Sequence, residues 1–135
     1  MISGADYVKV VGMFFSFLEN DFGFIKTKET INGNAFYDVE YKANGKAISV
    51  SYENIADNLE VVMFLLENEE MPHYDDKTKT LHLEYLSNSI LPNISQDEFE
   101  SNAAYFAEYN SYSKIEKTLL KEAKELRLCL KHVEN

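Results

Sequence analysis

The sequence predicts an α+β fold: an antiparallel meander sheet of about four to five strands, an N-terminal helix packed on one face, and a helical C-terminal region over 95–135. Three observations predict it. Between positions 5 and 20 the apolar residues recur every three or four positions, the period of a helix. From Phe24 the period falls to two and stays there to about 66, with turn residues between the runs. From Ser95 onward two helix-start signatures appear, Ser95-Gln96-Asp97-Glu98 and Ser113-Lys114-Ile115-Glu116. The chain has 135 residues, 45% of them hydrophobic, with nine Phe and nine Tyr. That suits a single domain, 1–135, with one real core.

In the first helix Tyr7, Val8, Val11, Phe14, Phe15 and Leu18 form the stripe, and Val10, Met13 and Phe17 widen it past half the circumference. So broad an apolar arc requires deep burial across a sheet. Asn20-Asp21 and Gly23 mark its end. A first strand follows over 24–31, then Asn32-Gly33-Asn34 as a hairpin turn. Tyr37, Val39 and Tyr41 share one face of the second strand. After the Lys42-Ala43-Asn44-Gly45 turn, Ile48, Val50 and Tyr52 alternate with Ser49 and Ser51 as a half-buried third strand. Residues 59–66 are apolar almost without interruption, the composition of a strand covered on both faces, which places it centrally in the sheet. Residues 67–80 are polar and turn-like. A short edge strand over 80–83 and a short helix over 85–91, stopped by Pro92, come next. A helix runs from Ser95 to about Asn110. At Ser113 either a second helix begins or one long helix bends.

Composition excludes several classes. The single cysteine, Cys129, permits no intrachain disulfide, as in a reducing compartment. Asp6 and Lys9 stand where a secretory leader would be basic and then apolar, and charges interrupt every apolar run well short of the ~18 residues of a membrane span. A cytoplasmic protein with no membrane contact is therefore expected. The net charge of −10 opposes nucleic-acid binding, which needs cations to displace counterions from phosphate, and it favours a basic protein partner.

No Gly-rich phosphate loop, zinc-type cysteine pair or nucleophile elbow is present. Four polar residues, His73, Asp75, Asp76 and His82, have the donor types of a divalent-metal or acid–base site. The same residues also read as ordinary turn chemistry, and that reading leads. Cys129 and His132, three apart on the last helix, read as packing plus surface. No cofactor is expected. Charge is distributed unevenly. Between Glu53 and Glu84 nine acids face only Lys77 and Lys79, and Glu67, Glu69, Glu70, Asp75 and Asp76 are the candidate acidic docking residues. Tyr105, Tyr109 and Tyr112 fall on one helical face and are candidate interface anchors, or else the edge of a core. In the last helix Leu120 and Leu128 fall among the lysines, a position that calls for contact with a second chain or with the rest of the fold.

The run Phe14-Phe15-Ser16-Phe17-Leu18-Glu19-Asn20-Asp21-Phe22-Gly23-Phe24, leading into the strands at 48–52 and 59–64, resembles small acidic α+β bacterial immunity-type proteins of polymorphic toxin systems. The resemblance covers the first two-thirds of the chain and carries over no functional residue. It implies a non-enzymatic protein-binding module that neutralises a basic toxin domain by surface occlusion. The competing expectation is a small metal-dependent or acid–base enzyme built on His73, Asp75, Asp76 and His82.

Overall fold

The computed structural model describes residues 2–73 and 75–133. Along the chain run α1 (Gly4–Phe14), α2 (Phe17–Phe22), β1 (Ile25–Asn32), β2 (Phe36–Ala43), β3 (Lys46–Glu53), β4 (Asn58–Leu65) and β5 (Thr80–His82). Then come α3 (Leu83–Ile90), a 3-10 turn at Leu91–Asn93, α4 (Gln96–Tyr105) and α5 (Lys114–His132). The strands form one sheet in sequence order, each antiparallel to the next.

Register assigns the two faces. Tyr37 lies opposite Tyr52, Val39 opposite Val50 and Tyr41 opposite Ile48; Val50 in turn faces Val61, and Ile48 faces Met63. All of these are buried, with Tyr7, Val11, Phe14, Phe17 and Leu18 from the first two helices and Leu119, Ala123 and Leu126 from α5, in one core. A fully buried side chain of this size contributes about 1.5–3 kcal/mol, so the helical layer is held to the sheet mainly by this face. The alternate residues point the other way. Asp38, Ser51 and Glu60 form one row on the reverse face, and Glu40, Ser49, Val62 and His82 form the next.

The expected continuous helix over 5–20 is broken at Phe15 and Ser16. Met13, Phe14, Phe15, Phe17 and Leu18 cannot all face one side of a straight helix. The break re-aims the chain so that Phe15, Phe17 and Leu18 are all 0% exposed, while Met13 stays 43% exposed. Gly23, at φ 74°, closes α2, and the Phe24 N–H donates to the Leu18 carbonyl at 2.9 Å. That left-handed position suits glycine because a Cβ is disfavoured there.

β4 is not central: it is the fourth of five strands, beside the three-residue edge strand β5. Its apolar run has a different cause. Val61 and Met63 face the main core, while Val62 and Phe64 join Ala47 in a second buried cluster on the reverse face. The connection 66–79 is tied back to this corner, where the Leu66 N–H donates to the Gly45 carbonyl at 2.9 Å and the Leu65 N–H to the Lys79 carbonyl at 2.8 Å.

The tail is two helices. Ser95 Oγ accepts from the Glu98 N–H at 3.2 Å, and Ser113 Oγ from the Glu116 N–H at 3.2 Å. α4 ends at Tyr105 rather than near Asn110. Leu120 and Leu128 are buried, because α5 packs against α3 and α4 as well as α1 and β4. Arg127, the chain's single arginine, joins the helices. Its Nη1 donates to Asn102 Oδ1 at 2.8 Å, its guanidinium lies 3.9 Å from the centre of the Tyr105 ring, and its Nε is 3.6 Å from the Asp21 carboxylate.

Candidate interaction surface

β4 divides the acid-rich stretch. Glu53, Asp57 and Glu60 lie near its start, and Glu67, Glu69, Glu70, Asp75 and Asp76 lie in the connection beyond its end. An eight-residue strand spans ~25 Å at about 3.3 Å per residue, so the two groups do not share one field at physiological salt. Glu84 sits in the first turn of α3.

Within the connection several of the candidate acids are already occupied. Glu67 is ion-paired with Lys79. Glu67 and Glu70 bridge a tight turn whose central residues, Asn68 and Glu69, have φ of 53° and 64°. The Glu69 carboxylate accepts from the Gly45 N–H at 3.1 Å. Asp76 accepts from the Thr78 N–H at 3.0 Å and from its hydroxyl at 2.5 Å, and these bonds hold its carboxyl below the usual carboxylate range. Glu70 and Asp75 are exposed, and neither is ion-paired among the described residues.

The three tyrosines do not share a helical face, since α4 stops at Tyr105. Tyr105 lies against Arg127 and edge-on to Phe106. Tyr109 packs against Phe14 and Phe106, with its hydroxyl 3.3 Å from Ser16 Oγ. Both are the edge of the core. Tyr112, 81% exposed, stands free beside a groove between α1 and the start of α5.

That groove, about 640 Å³, is lined by Ile2, Val10 and Met13 on one side and by Tyr112, Lys114 and Glu116 on the other. Asp57 closes one end. Its φ is 51°, and its carboxylate accepts from the Tyr52 hydroxyl at 2.7 Å and from Lys114 Nζ at 2.9 Å. These two bonds lower the Asp57 carboxyl, and burial together with the Asp57 bond pushes the Tyr52 phenol up to about 12. Nothing local in the sequence marks the groove, because it forms between segments a hundred positions apart.

Asp75 and His82 border one hollow, with Thr80 and Tyr85, whereas Asp76 is committed to Thr78. Among the described residues no three His, Cys, Asp or Glu side chains are placed to hold a metal ion. Cys129 and His132 diverge. The thiol is buried 3.9 Å from Ser87 Oγ, and burial pushes it up to about 11; the imidazole is 2.6 Å from the Glu98 carboxylate. An acidic cleft elsewhere, between β4, α3 and α5, is lined by Glu60, Glu84, Glu122 and Glu125 and by Lys121, which is ion-paired with Glu125. Burial and the Glu125 charge raise the Glu122 carboxyl.

Among the described residues no helix is long and apolar enough to cross a membrane. Compared with known proteins, the chain matches no family model, no curated protein and no solved structure.

Proposed function

We propose that this chain is a non-enzymatic protein-binding module, an immunity-type protein that neutralises a basic toxin domain by covering its working surface. One observation carries the reading: in a chain of net charge −10, the exposed carboxylates of Glu70 and Asp75 have no ion-pair partner among the described residues. Uncompensated surface charge of one sign steers an oppositely charged protein and raises its on-rate. Tyr112 and Met13 add exposed side chains of the kind that anchor interfaces.

The test is to express the protein encoded by the adjoining gene with and without this chain. The expected result is growth arrest relieved by co-expression and a stoichiometric complex. Its association should slow as the Debye length falls from roughly 30 Å at 0.01 M salt to roughly 10 Å at 0.1 M, with dissociation changing less. Reversing Glu70 and Asp75 to lysine should slow association further without loss of fold, because neither side chain holds an ion-pair partner among the described residues. A harmless neighbour, or no complex at any ionic strength, refutes the proposal.

A further inference from the structure

The sequence holds two Asn-Gly steps, Asn32-Gly33 and Asn44-Gly45. Such a step can modify itself. The glycine nitrogen attacks the asparagine Cγ and a C–N bond forms. The side-chain nitrogen leaves as ammonia, taking with it the proton that the backbone nitrogen gives up. Water then opens the cyclic imide at either carbonyl. Opening at Cγ leaves aspartate; opening at the main-chain carbonyl leaves isoaspartate, with the backbone rerouted through Cβ and Cγ. Water is the only co-reactant. The reaction needs a glycine nitrogen free of hydrogen bonds and a turn loose enough to bring it onto Cγ.

Both steps sit in hairpin turns, and the fold treats them differently. Asn32-Gly33 opens the β1–β2 turn. Residues 31–35 are all exposed, the Ala35 N–H donates to the Asn32 carbonyl at 3.1 Å, and the Gly33 N–H has no hydrogen-bond partner among the described residues. Asn44-Gly45 makes the β2–β3 turn, and Gly45 is gripped on both sides. Its N–H donates to the Glu69 carboxylate, at 3.1 Å and 3.5 Å to the two oxygens, and its carbonyl accepts the Leu66 N–H at 2.9 Å. Glu69 reaches there from a φ of 64°, a left-handed position that glycine or asparagine ordinarily fills. A residue so ill-suited to its backbone conformation points to a role for its side chain. A carboxylate on the N–H keeps the proton on the nitrogen, because an amide anion beside it would put two negative charges together.

We propose that Asn32 is a site of spontaneous deamidation in the folded protein and that Glu69 guards Asn44 against the same reaction. Conversion at Asn32 makes the net charge of −10 one unit more negative. Its isoaspartate product lengthens the loop between the paired residues Asn32 and Phe36.

The test ages the purified full chain in warm, mildly alkaline buffer and maps it by trypsin digestion and mass spectrometry, since the peptides 29–42 and 43–46 carry one Asn-Gly step each. Enzymatic methyl transfer to isoaspartate counts the rearranged product. Asn32 should convert about tenfold faster than Asn44, the weight of one hydrogen bond to a charged group. In urea the two rates should converge. Glu69→Ala should raise the Asn44 rate toward that of Asn32, and Glu69→Gln, which keeps an oxygen for the Gly45 N–H, should hold it near the parent rate. Equal rates in the folded chain, or a difference that persists in urea, would overturn the proposal. So would an Asn44 rate unchanged in Glu69→Ala, or one slowed by it, which would make the carboxylate a base that drives the cyclisation.

Discussion

Two buried tyrosines on the same core face make opposite predictions for the same chemical change. Tyr7, on α1, is 0% exposed, and its hydroxyl donates to the Val50 carbonyl at 2.8 Å. Tyr41, on β2, is also 0% exposed, but its hydroxyl has no partner among the described residues. Replacing either with phenylalanine removes one oxygen and leaves the ring packing in place. Tyr7→Phe loses a made hydrogen bond, a cost of about 1 kcal/mol. Tyr41→Phe removes an unpaired buried hydroxyl and should return about 1 kcal/mol. The variants should thus differ by about 2 kcal/mol. With a urea dependence of roughly 2 kcal/mol/M for a domain of this size, their unfolding midpoints should lie about 1 M apart. Far-UV circular dichroism in urea measures this directly. If Tyr41→Phe loses as much stability as Tyr7→Phe, the Tyr41 hydroxyl has a partner and the reasoning fails.

Three further outcomes follow from named contacts. Ser113→Ala removes the acceptor for the Glu116 N–H and should cost about 1 kcal/mol by thermal unfolding; no change would mean that the α5 cap is not held by this side chain. Arg127→Lys keeps the charge but loses the Nη1 hydrogen bond to Asn102 and the stacking on Tyr105; a loss of about 2 kcal/mol, a drop in Tm of roughly 6–10 °C, is expected, and an unchanged Tm would show that these contacts are dispensable. Asp38 has a folded-state pKa above its unfolded value, chiefly through burial. Its contribution is therefore most favourable in acid and is lost as pH rises through the folded pKa. Asp38→Asn should gain on the parent chain across that rise, and a stability difference constant from pH 3 to pH 8 would contradict this.

Much of the fold was legible because it rests on periodicity. Tyr37, Val39 and Tyr41 alternate cleanly, and all three are buried; the serine caps at Ser95 and Ser113 both act through hydrogen bonds to the third residue beyond. The misplaced details come from packing that periodicity does not encode. Six crowded positions from Met13 to Leu18 broke one helix into two. An apolar run covered on both faces read as a central strand, although β4 lies next to the edge. The candidate surface was less legible still. Consecutive acids suggested one face, yet β4 carries them to opposite ends, and Glu67 and Glu69 are held by Lys79 and Gly45. Asp38 and Glu60 share one row of the sheet with Ser51, a neighbourhood made by strand pairing and not by sequence adjacency.

The sequence-ordered sheet has a kinetic consequence. Three of its four pairings join strands separated by four or fewer residues, so they close short loops at little entropic cost. The packing of α5 on α1 instead brings together the far ends of the described chain. Topology of this kind predicts that the hairpins are present in the folding transition state and that α5 docks after it. Leu126→Ala, in the middle of α5, should then accelerate unfolding and leave the folding limb of the chevron in place, while Val50→Ala, in β3, should slow folding. A folding limb displaced by Leu126→Ala would reverse the order and make the closing helix, and not the meander, the nucleus of the molecule.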